Sequence, residues 1–138
     1  MAYKPSELPP VMALAFLGDA AHSLYIRRML VSRGIAKSGE LNDAARPYVS
    51  AEGQAEQAKR LLPHLTEEER DIYRRAHNSG HLNRPKHASG ADYRAATGIE
   101  AVIGMLEYTG EADRLSALMK IATEETDTGE EKENDTED

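Results

Sequence analysis

The sequence predicts an all-α domain, on three observations. Apolar residues recur at helical spacing through most of residues 1–122, no period-two run is bounded by hairpin signals, and capping chemistry recurs ahead of the apolar stretches. A chain of 138 residues with no internal repeat fits one domain able to bury a sizeable core.

The first helix is expected from about Pro9 to Arg33, with Val11, Leu14, Leu17, Ala21, Leu24 and Tyr25 as its apolar stripe and Gly34 as its stop. A short second helix spans Ser38 to Arg46 and halts at Pro47. Ser50 caps a third that runs to Leu62 and Pro63. Thr66 and Glu69 stand at capping-box spacing and open a fourth through Ile72 and Tyr73, expected to fray near Asn78, Ser79 and Gly80. Gly80, Pro85 and Gly90 make 79–90 a loop. Ser89 and Asp92 repeat the capping spacing ahead of a fifth helix ending near Gly110. A last one over about Glu111 to Ala122 places Leu115, Leu118 and Met119 on one face.

There is no cysteine, which excludes a disulfide framework and a thiolate metal site and points to a reducing compartment. The N-terminal residues lack a signal peptide's layout, and the apolar run from Val11 to Leu17 is too short to span a bilayer. A cytoplasmic protein with no membrane partner is expected. The net charge of −7 argues at first against a nucleic-acid partner. However, residues 123–138 hold nine acids against Lys132, a net −8 that leaves the body at +1. That acidic tail has no apolar residue to bury and is expected to be disordered, so the chain divides into a domain over 1–122 and a tail over 123–138.

Two carboxylates interrupt apolar helical stretches: Asp19, within Ala15 to Ala21, and Glu100, within Thr97 to Gly104. Such a setting calls for a cation, a hydrogen-bond network or a raised pKa. A structural alternative pairs Asp19 with an arginine such as Arg94, or with a tyrosine. Gly18, Gly98 and Gly104 read as close-packing glycines, since no glycine-rich loop follows a strand. Basic and amide residues gather around the fourth connection: Arg74, Arg75, His77, Asn78, His81, Arg84, Lys86 and His87, then Arg94. Each alone reads as part of a solvated loop, and together they form a candidate clamp for an RNA backbone, with Asn78 and Asn83 able to reach a 2′-hydroxyl or a base edge. His77 and His81 stand four apart, but no third ligand is fixed in sequence, which leaves zinc a minor alternative.

The segment Leu17-Gly18-Asp19-Ala20 resembles the signature of the ribonuclease III family, and Glu100 to Gly104 resembles its second acidic motif. Val49 to Ala51, Asn78 to Lys86 and Tyr93 to Gly98 are similar to the short branch called Mini-ribonuclease III, and the likeness covers roughly Leu8 to Ala122. The resemblance implies a ribonuclease III-like helical endonuclease domain that acts as a homodimer, binds double-stranded RNA and cleaves it with Mg²⁺. Asp19 and Glu100 would be both the metal ligands and the catalytic acids. It further implies precursor ribosomal RNA as substrate, in maturation of the large-subunit (23S) RNA. The full-length enzymes append a double-stranded-RNA-binding domain, and none is expected here. The larger family also carries acids where Ala15 and Thr97 stand here, positions that share a helix face with Asp19 and Glu100. The competing readings are a catalytically silent dimeric RNA-binding or ribosome-assembly module of the same fold, and a helical scaffold or metal-binding protein with no RNA role.

Overall fold

The computed structural model describes residues 7–79 and 89–123. Among these there is no strand, and six helices follow in order: α1 (Val11–Ser32), α2 (Ser38–Val49), α3 (Ala51–Leu61), α4 (Glu67–Ser79), α5 (Gly90–Tyr108) and α6 (112–123), with a 3₁₀ turn (Leu62–His64) after α3. No described helix is long and apolar enough to cross a membrane.

Helix α5 is the axis of the fold. From Ala96 to Leu106 every residue is buried except Glu100, which is only partly covered. A helix apolar on all sides must be surrounded; α1, α3 and α4 pack on it, and Leu118 and Met119 of α6 complete the core with Leu14, Ile26, Leu30, Leu61, Ile103 and Met105.

The local signals act as the sequence predicts. Ser50 Oγ accepts from Gly53 N at 3.0 Å, and Ser89 Oγ accepts from Asp92 N at 3.0 Å. Thr66 and Glu69 form a reciprocal capping box, Glu69 N to Thr66 Oγ1 at 3.1 Å and Thr66 N to Glu69 Oε1 at 2.9 Å. Gly110, at φ 75°, closes α5 in a Schellman arrangement: Gly110 N donates to the Glu107 carbonyl and Glu111 N to that of Leu106. Arg114 on α6 then reaches the α4 cap, donating to both Glu69 oxygens at 2.8 and 3.0 Å and to the His64 carbonyl.

Two expectations fail. Pro47 does not stop α2, which continues to Val49. A proline costs the hydrogen bond from its own nitrogen and crowds the carbonyl four residues back, and within the last turn few bonds are at stake. The buried ridge of α1 is also rotated from the expected stripe: it runs through Val11, Leu14, Ala15, Gly18, His22, Ile26 and Leu30, while Leu24 is exposed. At Gly18 the α5 backbone comes too close for any side chain, and His22 is held by hydrogen bonds with Gln54 and Gln57.

Candidate active site

Helices α1 and α5 cross with their backbones touching. A Cβ built on Gly18 would lie 1.7 Å from the Glu100 carbonyl oxygen, and one on Gly104 would lie 1.8 Å from that of Leu14. Only glycine fits at either position, so the close-packing reading of both is right. Gly98 serves the same purpose towards α4, where a Cβ would meet the Tyr73 ring at 2.7 Å.

This crossing brings Asp19 and Glu100 together across 81 residues of sequence. Asp19 follows Gly18, and a step of about 100° around the helix turns it from the crossing to its edge. It is therefore exposed, not buried as its apolar neighbours suggest. Glu100 is half-buried at the same edge, and its carboxyl lies within hydrogen-bonding reach of Asp19. Burial, then the hydrogen bond with Asp19 and its charge, push the Glu100 pKa up to about 8, opposed by a hydrogen bond from Gln54.

The two acids face an open cleft of about 390 Å³, whose walls include Phe16, Gln54, Tyr93 and Thr97. Among the described residues no ion pair joins Asp19 to an arginine, so the structural alternative with Arg94 is not realised. Two facing carboxylates at the mouth of a cleft are a donor set of hard oxygens, which suits a divalent cation that keeps several waters. A larger depression of about 930 Å³ lies along α4 and α6, but its Glu69 is already satisfied by Arg114 and Thr66. The acid cleft is the better candidate for chemistry.

The cations of the expected clamp are placed less simply. Arg74 and Arg75 are exposed on α4 and both pair with Asp71, the first at 2.5 Å and the second at 3.6 Å. His77 tilts against the Tyr73 ring with centroids 5.7 Å apart, Asn78 is exposed, and Arg94 is half-buried in α5. His81, Arg84, Lys86 and His87, with Asn83, lie outside the described residues, as does the zinc reading of His77 with His81. No group of three or more potential His, Asp or Glu ligands occurs among the described residues.

The sequence reading passes over three polar side chains next to the acids: His22 on α1, and Gln54 and Gln57 on α3. All three are almost completely buried. The one signal in sequence is that Gln54 and Gln57, three apart, share a face of α3; that His22 stands on the buried ridge of α1 emerges only from the structure.

The all-α fold is shared with known proteins. The family model of the ribonuclease III domain matches residues 12–111, which defines the class as a ribonuclease III-type endoribonuclease. The Mini-ribonuclease 3 of Symbiobacterium thermophilum is 40% identical over 126 residues, covering 91% of this chain and 96% of that protein. That of Streptococcus pneumoniae is 43% identical over 110 residues, covering 78% and 86%. A crystal structure of a protein from Fusobacterium nucleatum superposes with a TM-score of 0.79 at 27% identity, covering 90% of this chain and 99% of that one. The chain belongs to the Mini-ribonuclease 3 family, within the ribonuclease III-domain proteins.

Proposed function

We propose that this endoribonuclease is Mg²⁺-dependent and cleaves double-stranded regions of structured RNA, with Asp19 and Glu100 as metal ligands and catalytic acids. The observation that carries the reading is the convergence of these two carboxylates on one open cleft. When bound, Mg²⁺ supplies an activated water and neutralises charge developing on the phosphoryl oxygens. The chain's own residues set the electrostatics of the cleft. In the metal-free protein, burial and the facing Asp19 carboxyl push the Glu100 pKa up to about 8, so Glu100 itself holds its proton near neutrality. The glycine crossing holds the two carboxyls in register, and Phe16 and Met12 give the mouth an apolar rim.

Cutting both strands of a duplex calls for two sites, and a homodimer supplies them by symmetry. Uncovered apolar side chains on α1 support this. Phe16 is 84% exposed and Leu24 58%, and Tyr25 lines a neighbouring cleft of about 650 Å³ with Met29 and Leu115. The proposed interface lies on this helix. The RNA contacts proposed beyond the acids are Arg74, Arg75, His77, Asn78 and Arg94, with His81, Arg84, Lys86 and His87 of the connection. Precursor ribosomal RNA of the large subunit (23S), in the cytoplasm, is the proposed substrate and setting, on the resemblance to the Mini branch.

Incubation with a long RNA duplex in Mg²⁺ and in EDTA tests the reading. Metal-dependent cleavage is expected. Tight binding without cleavage would favour the silent RNA-binding module, and neither binding nor cleavage would favour a scaffold. Sedimentation at micromolar concentration showing only a 15.2 kDa species would remove the dimer.

A further inference from the structure

A chain of hydrogen bonds runs from the Glu100 carboxyl into the interior through three side chains. Gln57 Nε2 donates to the Tyr48 carbonyl at 2.9 Å. A backbone carbonyl only accepts, so this bond turns Gln57 Oε1 towards His22, whose Nε2 lies 2.7 Å away and must carry the proton. Burial keeps the imidazole neutral, lowering its pKa against the Gln57 hydrogen bond and the Asp19 charge. Nδ1 is then bare and accepts from Gln54 Nε2 at 3.3 Å. The second hydrogen on that nitrogen is directed to Glu100 Oε2, at 3.4 Å. A reversed Gln54 amide would set its oxygen against the bare Nδ1, acceptor against acceptor. One backbone carbonyl therefore fixes the direction of every link.

His22, Gln54 and Gln57 are 0%, 3% and 2% exposed. Apolar side chains of similar shape would fill this space without any need for a matched set of partners, so stability alone does not account for a polar chain that ends at a half-buried acid. Resting on the proposed role of Asp19 and Glu100 as metal ligands, we infer that Gln54 is a positioning residue for Glu100. His22 and Gln57 hold it as a donor, so that one carboxylate oxygen is pinned to α3 and the other is presented to the cleft. Groups that orient a metal's ligands in this way typically affect metal affinity or turnover by about 10- to 100-fold.

The test is Mn²⁺ binding to the free protein, followed by electron paramagnetic resonance without RNA, alongside the kinetics of duplex cleavage. Gln54→Leu is expected to weaken Mn²⁺ binding about tenfold and to lower kcat with little change in KM for RNA. Gln57→Met, whose side chain does not line the cleft, is expected to move both readouts the same way by a smaller factor. A purely structural role would move only the melting temperature. Long-range ¹H–¹⁵N spectra of the wild type are expected to show His22 protonated at Nε2. Wild-type Mn²⁺ affinity in folded Gln54→Leu, or a wild-type His22 protonated at Nδ1, would overturn the inference. Should Gln54→Leu fail to fold, the Mn²⁺ affinity of Gln57→Met decides by the same criterion. Glu100→Gln separates the two levels of the account. Undiminished Mn²⁺ binding there overturns the metal-site reading itself, whereas its loss there, combined with wild-type affinity in Gln54→Leu, overturns the positioning role alone.

Discussion

Gly18 rests directly on the Glu100 backbone, with room for a hydrogen but not for a methyl: a Cβ at position 18 would stand 1.7 Å from the Glu100 carbonyl oxygen. Because Asp19 is the next residue, the crossing that packs α1 on α5 also sets the separation of the two acids. Packing and site geometry therefore share one structural cause.

Gly18→Ala is expected to force the helices apart. Overpacking of this kind costs about 1–3 kcal/mol or more, and the separation of the acids should lower cleavage by more than the loss of folded protein explains. The control is Gly39→Ala on α2, where a Cβ meets no described atom within 4 Å. There, the better helix former should stabilise by about 0.5–1 kcal/mol. Thermal melts and cleavage rates of the two variants check the pair of outcomes.

The raised Glu100 pKa makes the metal-free protein sensitive to pH. The folded protein holds this proton up to about pH 8, whereas the ordinary value is 4.5. Stability from this group is therefore fully present below about 4.5 and is lost as pH rises through about 8. Asp19→Asn removes the facing charge, one of the causes of the rise. In EDTA it should be more stable than the wild type at pH 8 and nearly equal to it at pH 5. A variant less stable than the wild type at pH 8 would contradict the electrostatic account.

Glu69 shows the opposite dependence. Burial alone would raise its pKa, but the hydrogen bonds from Arg114 and Thr66 outweigh burial and hold it below 4.5. Its stabilisation is therefore present above about pH 4.5 and is lost as pH falls through the lower folded value. Glu69 is 4% exposed and carries both the α4 cap and the tie to α6. Glu69→Ala should cost about 3 kcal/mol at pH 7, measured by urea unfolding, and distinctly less at pH 3.

Neutralising Arg84 and Lys86 together should weaken binding to duplex RNA and flatten its salt dependence, by about one unit of slope for each phosphate that is no longer neutralised, with stability unchanged. Equal affinity and equal slope would make this segment an ordinary solvated surface.

Legibility followed the range of the interaction. The caps at Ser50, Thr66 and Ser89 depend on chemistry within four residues, and each acts as the sequence predicts. Gly18, Gly98 and Gly104 were recognisable as close-packing glycines because a glycine inside an apolar helix has few other uses. The α1 ridge differs from the apolar stripe because its centre is made of Ala15, Gly18 and His22, which apolar periodicity discounts, whereas Leu24 is exposed. The exposure of Asp19 is hidden for a related reason, since apolar neighbours in sequence do not fix which side of a helix crossing a residue occupies. The link from Tyr48 through Gln57, His22 and Gln54 to Glu100 joins four helices, and no spacing along the chain encodes it.

The central claim is that Asp19 and Glu100 perform the cleavage. Single-turnover cleavage of a long RNA duplex in Mg²⁺ by the wild type, Asp19→Asn and Glu100→Gln, with duplex affinity measured in parallel on the same preparations, tests it most directly. Either substitution should slow cleavage by about a thousandfold or more, as expected when a group acting on the transition state is removed, while duplex affinity stays near that of the wild type. Cleavage at close to the wild-type rate in either variant would contradict the account.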